Sequence, residues 1–284
     1  MPCRIKWLYT DNQYWDNWRN LMANRLVTGV FSVCLAATSL CYAGKAGDDD
    51  KKGPEDGRGG ANCSGLPQEA DLRKWLQSAP AMTGPIGGTV GGLFNGVRMW
   101  AAVVNRDGEV CAAVTSMTDA TQVWPGSQAI AKAKAYTANA FSLDSLALST
   151  ARLYTLTQPG HSLWSLGQSN LFDPDALAAP GAASAGRNRI AGGLIFFGGG
   201  VPIYRSGKII GGLGISGDTS CADHEIAKRV RDLAGLNPPG GALADDIVYS
   251  NFGGVTTSVF AHPRCVATFR NGASVGEEAP ATAY

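Results

Sequence analysis

The residues of this chain able to hold iron or another metal are few, and their spacing limits what they can do. His161, His224 and His262 are scattered, so no metal triad can be read from their positions, and the ordinary reading of each is a surface or loop residue. A haem protein, however, takes its axial ligand from His, Tyr, Met or Cys. That keeps two candidates, His161 in the turn Gln158-Pro159-Gly160-His161 and His224 near the start of a helix. No C-x-x-C occurs among the 7 cysteines, so metal clusters, thioredoxin chemistry and covalent c-type haem lack their usual signatures. Gly212-Leu213-Gly214-Ile215-Ser216-Gly217 matches G-x-G-x-x-G between a strand and a helix. Its strand is the second arm of a hairpin, and no acid-tipped strand follows, so these glycines are read as close-packing residues instead of a dinucleotide fingerprint. Gly207-Lys208 runs into Ile209, which breaks the phosphate-loop pattern. There is no serine nucleophile elbow, no paired-carboxylate motif and no H-E-x-x-H, which leaves hydrolytic chemistry without a residue to carry it.

The elements that would position these residues follow from pattern. Val97 to Val104 and Val110 to Met117 are apolar runs around Asn105-Arg106-Asp107-Gly108, a hairpin signal. Pro125 to Ala140 reads as an Ala-rich helix with Ser127 as N-cap, and Ser145 to Thr155 as a second helix capped by Asp144. Residues 162 to 189 lack periodicity and form a long loop, and long ordered loops are often functional. Gly193 to Arg205 and Lys208 to Ser216 are two strands joined by Ser206-Gly207. The last helix is predicted to open on a Ser220-x-x-Asp223 capping box, bury Ile226, Val230 and Leu233, and stop at Gly235. A further helix covers Glu69 to Gln77. Hairpins imply antiparallel pairing, so the fold class is α/β (α+β): one domain, an antiparallel sheet flanked by helices.

The ends are read differently. From Met22, Arg25 gives a positive n-region, Leu26 to Leu40 an apolar h-region and Cys41-Tyr42-Ala43 a cleavage site, so residues 1–43 are an N-terminal extension and signal peptide cut near Ala43. The apolar stretch falls short of the ~20 residues that span a bilayer, which predicts no permanent membrane span and a periplasmic or secreted product. Acylation at Cys41 is the alternative. Residues 44–62 form a flexible linker, 63–270 the domain, and 271–284 a disordered tail. Four cysteines remain after the leader, Cys63, Cys111, Cys221 and Cys265, an even number suited to an oxidising compartment. They permit three connectivities. Pairing Cys221 with Cys265 is favoured because it would staple the tail onto the start of a helix. The formal net charge of +1 gives no footprint for nucleic acid.

Two segments resemble the GlcG/HbpS family, the haem-degrading-domain family. One is Ala131-Lys132-Ala133-Lys134-Ala135-Tyr136-Thr137-Ala138, similar to that family's A-x-x-K-A-Y-T-A helix. The other runs from Phe197-Gly198-Gly199-Gly200-Val201-Pro202-Ile203-Tyr204 through Gly207 to Gly217 and on to Asp223. The resemblance implies a profilin-like domain, assembly into a dimer or larger homo-oligomer, and non-covalent haem. It places Lys134, Tyr136 and Thr137 at a cofactor site and implies an iron contact from Thr137; Tyr136 would be the stronger ligand through its phenolate. The 162–189 insertion and the Cys221 and Cys265 positions depart from the family's commonest pattern. The expected function is haem capture, buffering or sensing without turnover, the alternatives being a haem-degrading enzyme and a cofactor-free oligomeric scaffold or small-molecule binder.

Overall fold

The computed structural model describes residues 62–174, 188–250 and 258–279, all within the unit Pro54–Tyr284. The expected leader, and the linker up to residue 61, lie outside the described residues. Each apolar run of the first hairpin becomes a strand buried along its whole length, β1 at Trp100–Asn105 and β2 at Val110–Thr115. The second hairpin joins β3, Gly200–Arg205, to β4, Lys208–Ser216. Ser206 and Gly207 take φ of 50° and 77°, the two left-handed residues that a twist-matched two-residue turn requires. The four strands form one antiparallel sheet in the order β2-β1-β4-β3.

Helices cover both faces. Leu72 and Leu76 of α1, Glu69–Ser78, and Ile226 and Val230 of α3, Ser220–Leu233, pack on Ala101, Val103, Leu213 and Ile215. On the other face α2, Gly126–Ala140, lays Ala131 and Ala135 against Trp100, Ala102 and Val104. The alternation along β1 is the period of two that a doubly covered strand demands. The expected role of the Gly-rich β4 is met by α2. A Cβ on Gly214 would run into the Ala131 carbonyl, one on Gly212 into the Ala135 carbonyl, and one on Gly200 into the Lys134 carbonyl. Helix backbone rests directly on sheet backbone.

Local expectations differ in several places. No α-helix forms over Ser145 to Thr155; the chain makes 3-10 turns at Thr150–Leu153 and Thr155–Thr157. Side chains draw this segment elsewhere: Ser149 Oγ donates to the Asp245 carbonyl at 2.6 Å, and Thr150 Oγ1 donates to Phe197 O while accepting from Gly200 N. Asp144 caps nothing here and instead accepts from Lys208 Nζ and Ile209 N. In α2 the N-cap position belongs to Pro125, with no side-chain cap, and Ser127 is buried. In α3 the cap is Thr219, which accepts from Ala222 N, because Asp223 is turned inward. β3 begins at Gly200, since Gly193 and Gly199 take positive φ and interrupt the expected strand. The tail is ordered further than expected. Short parallel strands β5, Val248–Tyr249, and β6, Ala261–His262, precede a hairpin of β7, Thr268–Arg270, and β8, Ala273–Gly276. No helix among the described residues is long and apolar enough to cross a membrane.

Gly214→Ala should cost about 3 kcal/mol, the upper part of the range for overpacking a filled site, and lower Tm by roughly 6–12 °C at about 2–4 °C per kcal/mol. Gly126→Ala, whose methyl meets nothing within 4 Å, should melt within about 2 °C of the parent by circular dichroism. Equal melting of the two variants would refute the backbone contact.

Candidate functional site

Lys134, one of the expected cofactor contacts, lies in the interior. Its ammonium pairs with Asp223 Oδ2 at 2.7 Å, donates to the Ile215 carbonyl at 3.0 Å and faces the Phe197 ring at 5.0 Å. Asp223 Oδ1 accepts from Asp218 N at 2.9 Å. Burial pushes the Asp223 carboxyl up to about 6, against the pull of the Lys134 charge and its hydrogen bond, and burial lowers Lys134 in turn. The pair therefore ties α2, the end of β4 and α3 together, with the lysine's donors directed into protein.

The other expected ligands do not converge on it. Thr137 is buried, its hydroxyl donating to the Ala133 carbonyl at 2.8 Å and accepting from Ile195 N at 3.0 Å. Tyr136 is half-buried and covers the turn glycine Gly108 beside Ile190. His161 is exposed. His224 is not a surface residue: it is buried in α3, with Nε2 3.4 Å from Asp246 Oδ1. Around it Glu225, Lys228, Asp246 and Arg270 form an ion cluster that fixes the C-terminal hairpin to α3. Burial would raise Asp246, but the adjacent His224 ring and the Lys228 and Arg270 charges outweigh it and hold the carboxyl well below its usual range.

What the structure does open is a cleft beside α2. Two adjoining cavities of about 280 and 250 Å³ share Gly167, Leu194 and Ile195, and together they reach the roughly 300–1,000 Å³ of small-ligand sites. Tyr154, Trp164, Leu166 and Phe196 line one, and Ile130, Ala133, Leu171 and Phe172 the other. Trp164 is 54% and Leu171 81% exposed, an apolar surface turned to solvent. Asn170 accepts from Gly193 N, and Thr137 accepts from Ile195 N, so the wall at 193–197 is pinned to both the loop and α2. Lys134, Tyr136, Thr137, His161 and His224 line neither cavity. One signal for this cleft was legible beforehand, the long loop after His161. The opposite wall was hidden because residues 193–199 read as strand.

His262 also departs from the surface reading. It is buried beside the Tyr154 ring, centroids 5.1 Å apart. Nδ1 lies 2.6 Å from the Pro263 carbonyl, and Nε2 accepts from Gly198 N at 3.2 Å; burial pushes the imidazole down to about 4, so the ring is neutral. Disulfides join Cys221 to Cys265, with Cα atoms 6.0 Å apart, and Cys63 to Cys111, at 5.5 Å.

Residues 93–232 match the HbpS-like family, described as haem degrading protein HbpS-like. Among solved structures the chain is similar to PduOC in its haem complex, at 23% identity over 59% of this chain and 92% of that chain, TM-score 0.41. It is similar to Klebsiella pneumoniae protein ORFY at 24% identity over 49% and 76%, TM-score 0.36. It is also similar to HbpS at 18% identity over 57% and 83%, TM-score 0.33. No curated protein matches it.

Lys134→Met leaves Asp223 buried without its partner and should cost about 3–5 kcal/mol, most of it recovered in Lys134→Met with Asp223→Leu. Denaturant midpoints measure both. Unchanged stability with lost ligand binding would instead make Lys134 a ligand contact.

Proposed function

We propose that this chain, whose residues 93–232 form an HbpS-like domain, binds haem non-covalently in the cleft between the loop at 164–172 and the wall at 193–197. The carrying observation is that the family match includes both walls of an apolar, aromatic-lined cleft. Its residues fit the ring better than the iron. Trp164, Leu166, Leu171, Phe172, Leu194 and Phe196 offer the flat apolar contact that a macrocycle needs. Cys, His and Met are absent from the lining of both cavities, and Tyr154 is the lining residue with an iron-ligating oxygen. Bound there, haem would supply ligand binding or redox chemistry at its iron, while the chain holds the ring and keeps water from its faces.

The reading includes export. The leader-like segment 1–43 and the two disulfides support work in an oxidising compartment, where capture, buffering or sensing needs no turnover. The family description favours a second reading, haem degradation, which requires an electron donor and releases iron.

Hemin titrated into the purified protein should give a saturable, shifted Soret band at one haem per cleft. Leu194→Asp should weaken binding by about tenfold or more, and Tyr154→Phe should change the spectrum while leaving much of the affinity. A featureless, non-saturating titration overturns haem binding; iron release with an added reductant selects the enzyme.

A further inference from the structure

The residues that tie the tail to α3 carry more donor chemistry than a staple requires. Cys221 is the second residue of α3, and its disulfide partner Cys265 lies in the tail. Cys265 Sγ accepts from Cys221 N at 3.2 Å and stands 3.3 Å from the Ser220 hydroxyl. It is thus held at the N-terminal end of a helix by donors that would stabilise a thiolate. His262 completes the group: one ligand atom from each of Cys221, His262 and Cys265 lies within 4.8 Å of the other two, and all three residues are buried. The Nδ1 contact with the Pro263 carbonyl is of the kind that orients a metal-bound imidazole, and Nε2, which here accepts from Gly198 N, would exchange that hydrogen bond for the bond to the metal.

While the disulfide is closed, neither sulfur can act as a thiolate. We propose that opening the Cys221–Cys265 disulfide converts this cluster into a Cys₂His site for a thiophilic divalent cation of the zinc type. An external dithiol supplies two electrons and two protons to the sulfur–sulfur bond and leaves as its own disulfide, giving two thiols. The cation then displaces the two thiol protons into solvent, forms two metal–sulfur bonds and one metal–nitrogen bond, and keeps water as its fourth ligand. Tetrahedral coordination at about 2.3 Å to sulfur and 2.0–2.1 Å to nitrogen sets neighbouring ligands roughly 3.5–4 Å apart, so the cluster closes onto a cation through small side-chain rotations. The switch exchanges one clasp for another: Cys221 and Cys265 hold the tail to α3 in either state, joined by His262 when the cation is bound.

The test uses the full chain and Co²⁺, whose intense visible bands report tetrahedral thiolate coordination, with a phosphine as reductant so that no added thiol competes. The oxidised protein should show no such bands, and the reduced protein should bind one equivalent. Cys221→Ser with Cys265→Ser should abolish the bands, His262→Gln should weaken Co²⁺ binding by about tenfold or more, and Cys63→Ser with Cys111→Ser should leave them unchanged. Bands in the oxidised protein or in the Cys221→Ser, Cys265→Ser variant overturn the proposal, as does a reduced, folded protein without them. If reduction alone lowers the far-UV signal, Co²⁺ should restore it; failure to do so also overturns the proposal.

Discussion

The contact between the backbone of α2 and the backbone of the sheet governs much of the rest. Gly200, Gly212 and Gly214 leave no Cβ beneath the helix, so α2 approaches more closely than side-chain packing allows. Small residues, Ala131 and Ala135, then complete the layer. At this height the Lys134 side chain can pass the end of the sheet and reach Asp223 on the helix of the opposite face. The helix spacing and the buried ion pair are therefore one constraint: moving α2 outward would draw the ammonium away from the carboxylate and the Ile215 carbonyl. Gly199 belongs to the same arrangement, because a Cβ there would crowd both Lys134 Nζ and the Ile215 carbonyl.

A second layer of constraint comes from the tail. Its short strands and hairpin bury little apolar surface of their own, and polar links attach them to α3. Asp246 accepts from Lys228 and Arg270, Glu225 from Lys228 and Asn271 N, and Arg231 grips Asp245 at 2.6 Å. Buried charges of this kind add little net stability against apolar replacements but are costly to break singly. The tail also supports the cleft, since His262 receives Gly198 N, one residue beyond the wall at 193–197, and packs on Tyr154.

Legibility in the sequence followed the range of the interaction. The Ser206-Gly207 hairpin, the Ala-rich α2 and the amphipathic α3 are set by neighbours in the chain and could be read directly. The helix expected over Ser145 to Thr155 could not be judged that way, because Ser149 and Thr150 satisfy backbone groups at Asp245, Phe197 and Gly200. The burial of His224 and His262 was equally hidden: each is enclosed by segments distant in sequence. Residues 193–199 are apolar and Gly-rich, a composition that a strand and an irregular wall share, and only the positive φ at Gly193 and Gly199 separates the two outcomes.

The residues that carry the family resemblance are, in this structure, those of the frame. Lys134, Gly200, Gly212, Gly214 and Asp223 set the distance and angle between α2, the sheet and α3, and Thr137 fixes the wall at Ile195. The Lys134, Asp223 and Thr137 side chains are spent on protein and the glycines make room for α2, so these positions build the fold and leave the cleft open beside it. The opposite wall, Trp164 to Phe172, lies in the long loop after His161. Substitutions in that loop can therefore reshape the cleft without disturbing the Lys134–Asp223 frame.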